Sequence, residues 1–275
     1  MDPVDIAELG LSLAEVDPDV PSVARIYDFW LGGSQNFEAD RVVARRTAEA
    51  LPHLPAAAWA NRAFLRRVVR HLAVDRGVSQ FLDLGSGVPT VGNVHEVAQA
   101  ADPDARVVYV DIDPVAVAHA RALLAETPGA EAVLADLRRP RSVLEHPLVR
   151  GTLDLSRPVA VLMFAVLHFI PQDAQAAGIV RDFMGAVAPG SYLALSHGVP
   201  DRDAPQVQAS AARAYAQRTG VPYVSRTPQQ VGSWLAELEV EPPGVVAIDE
   251  WMPEPGAEPR DNPLYCGVLA RKAAG

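Results

Sequence analysis

Cysteine and lysine are almost absent from this chain of 275 residues. Cys266 is the single cysteine, and Lys272 is the single lysine. One cysteine excludes an internal disulfide, and its place between Tyr265 and Gly267 in an apparent strand is typical of a small core residue. Since the only lysine stands near the end, the sequence has no Tyr-x-x-x-Lys pair.

Long apolar runs and basic stretches are missing as well. No apolar run approaches the length that a membrane-spanning helix needs, and the net charge of −10 disfavours a nucleic-acid partner. The opening Met1–Asp5 segment has neither the charged region nor the apolar region of a secretory signal. We therefore expect a cytoplasmic protein without a membrane or nucleic-acid partner, and the residues carry no signal for its oligomeric state.

Short apolar runs alternate with helical patterns through most of the chain. This alternation predicts an α/β fold of the Rossmann-like type, with a mostly parallel seven-stranded sheet and helices on both faces. No helical pattern separates the strands expected at Val245–Trp251 and Leu264–Arg271, so the last strand should be antiparallel. The sequence thus predicts one large α/β domain.

The chain divides into a lead-in, a core and an insertion. Residues 1–78 form an N-terminal arm and a helical cap, in which Ser22 begins a helix and Gly33 follows its end. Residues 79–275 form the core. Residues 200–226 break the strand and helix alternation, and an insertion there would overhang the carboxyl edge of the sheet.

A glycine turn follows the first predicted strand, at Gly85 and Gly87. Glycines there allow positive φ angles and a close approach of the backbone to a ligand. A dinucleotide-binding fingerprint has a third glycine where this chain has Thr90, which weakens the pyrophosphate interpretation. The chain has instead an acid, Asp83, two residues before the first glycine.

Three consecutive predicted strands end in an acid, at Asp83, Asp111 and Asp136. The carboxyl ends of parallel strands meet at one edge of the sheet, where ligands bind. Asp111 is placed to accept both ribose hydroxyls of a nucleoside, and Ile112 to cover one face of a purine. Asp136 can accept from an exocyclic amine while Leu137 packs against the ring. Alternatively, each acid merely reflects the preference of aspartate for turns.

Several unusual strings occur in order along most of the chain: Pro21–Phe37, Asn61–Arg67, Phe81–Asn93, Val107–Ala120 and Ala165–Pro171. In these strings the chain resembles the S-adenosyl methyltransferase family of high-GC bacteria, long catalogued as a domain of unknown function. The resemblance implies S-adenosylmethionine as cofactor and S-adenosylhomocysteine as product. It places Asp83, Gly85 and Gly87 around the methionine moiety, Asp111 at the ribose, and Asp136 with Leu137 at the adenine. Pro89 departs from the glycine usual in the broad superfamily.

The cap offers further candidates. Arg25, Tyr27 and Asn36, around Gly32 and Gly33, resemble the cap that closes over the cofactor in related methyltransferases. Tyr27 is the best candidate for a direct contact, although an amphipathic packing helix is the alternative. Candidates elsewhere are Arg62 for the methionine carboxylate and Ala165 as a further cofactor contact.

Methyl transfer needs positioning of the acceptor and only sometimes a base. His168 is the candidate base, with His197 as a neighbour, although a structural histidine is common in such a string. The two histidines lack a third ligand at zinc-like spacing, so we expect no metal. In or beside the insertion, Tyr215, Tyr223 and Arg226 are candidates to line the acceptor pocket.

The leading hypothesis is a methyltransferase that acts on a small molecule, with secondary metabolism as a suggested setting. The absence of a convincing base keeps open a non-catalytic sensor of S-adenosylmethionine or S-adenosylhomocysteine. A nicotinamide-dependent oxidoreductase is disfavoured by Thr90 and by the missing Tyr-x-x-x-Lys pair.

Overall fold

The protein is described by a computed structural model that covers residues 16–90, 92–253 and 264–273. Its eight strands are β1 Gln80–Leu84, β2 Arg106–Asp111, β3 Ala130–Leu134, β4 Ala160–Phe164, β5 Tyr192–Gly198, β6 Glu239–Val240, β7 Val246–Ala247 and β8 Tyr265–Arg271. The sheet order is β3-β2-β1-β4-β5-β8-β6, with β7 also paired to β8. Strands β1 to β5 are parallel, and β8 is antiparallel to β5.

Ten α-helices surround the sheet in the described ranges: α1 Val23–Trp30, α2 Glu38–Ala50, α3 Leu54–Val74, α4 Val94–Ala101, α5 Pro114–Leu124, α6 Pro140–Leu144, α7 Pro147–Thr152, α8 Asp173–Ala186, α9 Pro205–Thr219 and α10 Pro228–Ser233. A single 3₁₀ turn, Leu167–Phe169, follows β4. Helices α3 to α5 pack on one face of the sheet, and α6 to α8 pack on the other.

The two cores follow from the alternation of side chains along each strand. In β1, Phe81 contributes to the core under α3, while Leu82 and Leu84 contribute to the opposite core. Every residue of β4, Ala160–Phe164, is buried, as expected for a central strand covered on both faces. Strand order reverses between β1 and β4, so a crevice opens there at the carboxyl edge.

The predicted fold class is confirmed, with differences in detail. The sheet has eight strands rather than seven, because Glu239–Val240 adds a short strand beside β8. Between β3 and β4 the chain forms two short helices, α6 and α7. His146 begins α7 by accepting a hydrogen bond from the Leu148 N–H, and Pro147 follows it. Residues 1–15 of the expected arm lie outside the described residues.

A buried charge cluster attaches the cap helices to the core. Ser22 caps α1, and its backbone N–H donates to Asp40 of α2 over 2.8 Å. The guanidinium of Arg25 lies between Asp40, at 2.8 Å, and Asp113 of the core, at 3.0 Å. All three charged side chains are buried, so each depends on the others for compensation. This cluster orients α1 over the carboxyl ends of the strands.

The insertion folds onto the cap. Tyr215 of α9 packs in one apolar cluster with Ile26 of α1 and Val43 of α2. The segment after α9 is anchored to the core, because the Val224 N–H donates to the His168 carbonyl and the Arg226 N–H to the Gly198 carbonyl. The division at residue 78 stays a prediction, and α3 on the lead-in side packs directly against the sheet.

We predict that Phe64→Ala lowers the free energy of unfolding by about 3–5 kcal/mol. Phe64 is fully buried on α3, and its ring lies 5.4 Å from that of Phe164 and 5.6 Å from that of Trp251. Trp59 lies on the same helix but is 51% exposed. Trp59→Ala should therefore change stability by about 0.5 kcal/mol or less in urea titrations. Equal losses of unfolding free energy in the two variants would contradict the assigned burial of Phe64 and exposure of Trp59 on α3.

Candidate functional site

A cavity of about 260 Å³ lies at the carboxyl edge of the sheet, roofed by the cap and α9. Its wall includes thirteen of the residues that the sequence analysis proposes: Tyr27, Arg62, Asp83, Gly85, Gly87, Asp111, Ile112, Asp136, Leu137, Ala165, His168, Tyr215 and Tyr223. Residues from the ends of four parallel strands therefore meet candidates from the cap and the insertion in one place.

The glycine turn has the conformation that its sequence suggests. Gly85 and Gly87 have φ angles of 73° and 66°, in the left-handed region that favours glycine. A Cβ atom on Gly85 would also overlap the side chain of Val166. The Gly85 N–H donates to the Val110 carbonyl over 2.8 Å, which holds the turn against β2. The space beside Gly85 is thus filled by Val166, whereas a Cβ atom on Gly87 would meet no atom within 4 Å, so the backbone is bare at Gly87.

Asp83 is a buried carboxyl group without a compensating partner. Its side chain lines the cavity, and in the described part of the chain it has no hydrogen bond or ion pair. Burial raises its pKa to about 7; the charge of Arg62 opposes this rise and Asp111 adds to it. A buried carboxylate of this kind favours a cationic ligand group.

Asp111 connects the glycine turn to the next helix. One carboxylate oxygen accepts from the Gly87 N–H over 2.7 Å, and the other accepts from the Asp113 N–H over 2.9 Å. Burial raises the pKa of Asp111 to about 6, and these two hydrogen bonds limit the rise. Each oxygen keeps a lone pair that can accept from a ligand hydroxyl.

The end of the cavity beyond β2 and β3 has an apolar surface beside an acid. Ile112 is 55% exposed, which is unusual for isoleucine and leaves a face for a flat ring. Both oxygens of Asp136 accept from Arg138 over 2.9 Å. Burial opposes ionisation of Asp136, but the hydrogen bonds from Arg138 prevail and lower its pKa. Leu137 lies between these charged residues and also lines the cavity.

A hydrogen-bond network joins the cap to the strand ends. The Tyr27 hydroxyl donates to the Ala58 carbonyl and accepts from the Asn61 amide, each over 3.0 Å. The Asn61 side-chain oxygen accepts from Ser196, whose hydroxyl in turn accepts from the Ala165 N–H over 3.0 Å. Ala165 has a φ of 51°, rare for a residue with a side chain, so this network fixes the bend after β4.

His168, Tyr215, Tyr223 and Tyr265 form the other side of the cavity. The His168 ring is buried, and burial, followed by the nearby His197 and Arg226, lowers its pKa well below the ordinary value. Burial raises the pKa of Tyr215 and Tyr223. At neutral pH this group of side chains is therefore uncharged.

Five of the candidates lie outside the cavity wall: Arg25 of the buried charge cluster, His197, Gly33, Asn36 and Arg226. Asn36 is fully buried and donates to Asp28 over 2.7 Å and to the Gly33 carbonyl, so Asn36 and Gly33 shape the turn after α1. A Cβ atom on Gly33 would overlap the Asp28 carboxylate. Arg226 is buried under the floor, where it pairs with Asp173 over 3.0 Å. In the structure these residues contact other parts of the protein, and their expected contacts with ligands stay predictions.

Arg226 also determines the role of the second histidine. It donates to the Ile170 carbonyl over 2.8 Å and approaches Nε2 of His197 to 3.1 Å. Because Arg226 can only donate, His197 Nε2 accepts and its Nδ1 donates to the Gly198 carbonyl. Burial lowers the pKa of His197 to about 4. His197 is therefore held by Arg226 and the Gly198 carbonyl, outside the cavity wall.

Sequence reasoning missed several residues of the wall: Trp30, Asn61, Phe164, Phe169, Gln208 and Tyr265. Asn61 and Phe169 stand within the strings that carry the family resemblance, so a signal for them existed. Tyr265 begins β8 and reaches the cavity only because β8 pairs with β5, where Tyr265 lies opposite Gly198. Because these two residues lie far apart in the chain, no local sequence pattern predicts that they pair.

The sheet order and the crevice at its carboxyl edge define a Rossmann-like α/β fold of the methyltransferase type. Residues 11–273 match the family model described as S-adenosyl methyltransferase, and the chain belongs to that family. It is an enzyme that uses S-adenosylmethionine as methyl donor.

Two solved structures resemble this chain along almost its full length. A candidate methyltransferase from Thermobifida fusca is 42% identical, with a TM-score of 0.86, over 94% of this chain and 97% of its own. A DUF574 family protein from Streptomyces avermitilis is 40% identical, with a TM-score of 0.87, over 93% of this chain and 99% of its own. A search of curated proteins found no significant match.

Neither a candidate membrane-spanning helix nor a candidate metal cluster occurs among the described residues. No helix there is both long and apolar enough to cross a lipid bilayer. The same residues contain no cluster of three or more His, Cys, Asp or Glu side chains arranged to hold a metal ion.

The raised pKa of Asp83 predicts a pH-dependent stability. Native Asp83 holds its proton up to about pH 7, whereas in the unfolded chain it loses it near pH 4. The contribution of Asp83 to the free energy of unfolding is thus fully present below about pH 4, and it is lost as the pH rises to about 7. The free energy of unfolding of Asp83→Asn should therefore exceed that of the ligand-free wild type, by a margin that grows over this pH range.

Urea titrations at several pH values measure this margin, which should reach on the order of a few kcal/mol and level off above pH 7. Asp182→Asn is the matched control, because the Asp182 side chain is 55% exposed on α8. A margin for Asp83→Asn that stays constant from pH 4 to pH 8 would contradict the assigned burial of the charge.

Proposed function

We propose that the protein transfers a methyl group from S-adenosylmethionine to a small-molecule acceptor in the cytoplasm. The cofactor occupies the half of the cavity beyond β1 to β3, and the acceptor occupies the half under α9. The observation that carries this proposal is the pair of buried carboxyl groups, Asp83 and Asp111, on either side of the glycine turn.

The methionine end of the cofactor fits the region around β1. Its ammonium and sulfonium groups are cations, for which Asp83 supplies an unpaired buried carboxylate. Its carboxylate suits Arg62, which lines the cavity and whose Nε is buried without a hydrogen-bond partner. The bare backbone at Gly87, where a Cβ atom would meet no neighbouring atom, allows the close approach that such a ligand needs.

The nucleoside end fits the region beyond β2 and β3. Asp111 keeps free lone pairs for the two ribose hydroxyls, because its two oxygens each accept only one backbone hydrogen bond. Ile112 and Leu137 offer apolar surface to the adenine ring. Asp136 lies at the edge of that surface for the exocyclic amine, with Arg138 holding it ionised.

S-adenosylmethionine supplies a methyl carbon already activated by the positive sulfur, so the chain chiefly positions the acceptor. The cap and α9 cover the cavity and exclude water from the reacting centre. The His168 ring lies on the acceptor side, where an unprotonated nitrogen can accept a hydrogen bond or a proton.

A small molecule suits this cavity better than a macromolecule does. The wall is closed over by two packed elements, and its surface is mostly apolar rather than basic. A nucleic acid would also meet a chain of net charge −10.

Asp111→Ala should weaken binding of S-adenosylhomocysteine by about tenfold or more. The variant removes hydrogen bonds to a charged acceptor, and the loss of even one, worth about 1.5–3 kcal/mol, corresponds to about tenfold or more. Isothermal titration calorimetry on the full chain measures the change. Asp182→Ala, on the exposed face of α8, is the control and should bind as the wild type does.

The same titration with NAD⁺ tests the cofactor class. We expect S-adenosylhomocysteine to bind and NAD⁺ not to bind. Unchanged affinity in Asp111→Ala would remove this residue from the site, and binding of NAD⁺ alone would overturn the proposed placement of the cofactor.

A further inference from the structure

The half of the cavity under α9 is lined by flat aromatic faces. Tyr215, Tyr223 and Tyr265 meet His168 and Phe169 there. The Phe169 and Tyr215 rings are almost parallel, at 15°, with centroids 6.5 Å apart. The His168 and Tyr223 rings are 4.7 Å apart. Aromatic rings pack against one another by stacking and by edge-to-face contact, so these faces suit a planar aromatic ligand.

Charged side chains are confined to the opposite half. In the described wall of the cavity they are Arg62, Asp83, Asp111, Asp136 and Arg138. They lie on α3 or at the ends of β1 to β3, and none lies among the tyrosines. An ionised acceptor would lose its hydration in the tyrosine half without gaining an opposite charge. This half therefore favours an uncharged acceptor.

Polar atoms without a hydrogen-bond partner in this half indicate which polar group the ligand has. Nδ1 of His168 is buried without a hydrogen-bond partner. The hydroxyls of Tyr215, Tyr223 and Tyr265 also lack one within residues 16–90, 92–253 and 264–273. A buried polar group left unpaired costs about 1–3 kcal/mol. A ligand hydroxyl can donate to the histidine and exchange hydrogen bonds with the tyrosines, which removes this cost.

Gly198 allows two of these polar groups to lie side by side. A Cβ atom at this position would overlap the Tyr223 hydroxyl and would lie 3.6 Å from His168 Nδ1. The absence of a side chain at residue 198 therefore makes room for the tyrosine hydroxyl beside the imidazole. The Arg226 N–H bond to the Gly198 carbonyl, over 2.9 Å, holds the segment that carries Tyr223 in this position.

We propose that the acceptor is an uncharged, planar aromatic compound and that its hydroxyl group receives the methyl group; this rests on the proposed methyl transfer. The hydroxyl oxygen bonds to the methyl carbon as the carbon–sulfur bond breaks and leaves its electron pair on sulfur. The hydroxyl proton passes to an unprotonated nitrogen of His168 and then to water. Charge balances, because the lost sulfonium charge reappears as the released proton.

Four matched probes test this proposal: 4-propylphenol, 4-propylbenzoate, 4-propylbenzylamine and 4-propylcyclohexanol. Each is titrated into the full chain saturated with S-adenosylhomocysteine, and its Kd is measured by ligand-observed NMR. The phenol should bind at least about tenfold tighter than the anionic and cationic probes, which are desolvated without a counter-charge. It should also bind tighter than the saturated alcohol, which lacks the flat face.

Variants test the polar groups separately from the fold. Tyr223→Phe and Tyr265→Phe should each weaken phenol binding by about fivefold and leave S-adenosylhomocysteine binding unchanged. Tyr192→Phe is the control, because Tyr192 is buried at the far end of β5, outside the cavity wall. With S-adenosylmethionine present, His168→Gln should lower the formation of 4-propylanisole by about 100-fold.

The outcomes separate the two proposals. If S-adenosylhomocysteine binds but the benzoate or the amine binds as tightly as the phenol, the acceptor class is wrong and the methyl-transfer site stands. The acceptor class is also wrong if none of the uncharged probes binds the saturated protein. If the wild type does not bind S-adenosylhomocysteine, the proposed function fails and this inference fails with it.

Discussion

The hydrogen bond from the Gly87 N–H to the Asp111 carboxylate joins the two elements on which the site depends. It holds the glycine turn after β1 against the end of β2 at 2.7 Å. The other oxygen of Asp111 accepts from the Asp113 N–H, and Asp113 in turn caps α5 and pairs with Arg25. Through these contacts, the Asp111 carboxylate positions the glycine turn, helix α5 and, by way of Arg25, the cap.

The buried charges divide the cavity into two chemically different halves. Asp83 and Asp111 lie at adjacent strand ends and have raised pKa values, so this half gains from a cationic ligand. In the other half burial keeps His168 and the tyrosines uncharged. In the proposed placement, the positively charged methyl donor and the uncharged acceptor thus have separate and complementary surroundings. The difference in charge between the two halves then determines which molecule occupies which half.

The first half could be predicted from the sequence, and the second half only in part. Asp83, Gly85 and Asp111 stand at strand ends, and strand ends follow from local hydrophobic patterns. The wall under α9 is assembled from segments far apart in the chain, such as Phe169, Tyr215 and Tyr265. Arg226 illustrates the limit, because its place in the insertion predicts a residue that lines the acceptor pocket, yet it pairs with Asp173 under the floor. Its partners are set by tertiary packing.

The proposed division separates what would fix the cofactor from what would select the acceptor. The cofactor half is built from backbone turns and buried acids whose exchange would also disturb the sheet, as the links from Asp111 to Asp113 and Arg25 show. The acceptor half is built from side chains on α9, on the segment after it and at the start of β8. A change of one aromatic ring there alters the cavity without moving a strand. Substrate specificity can therefore vary while the methyl-donor site stays fixed.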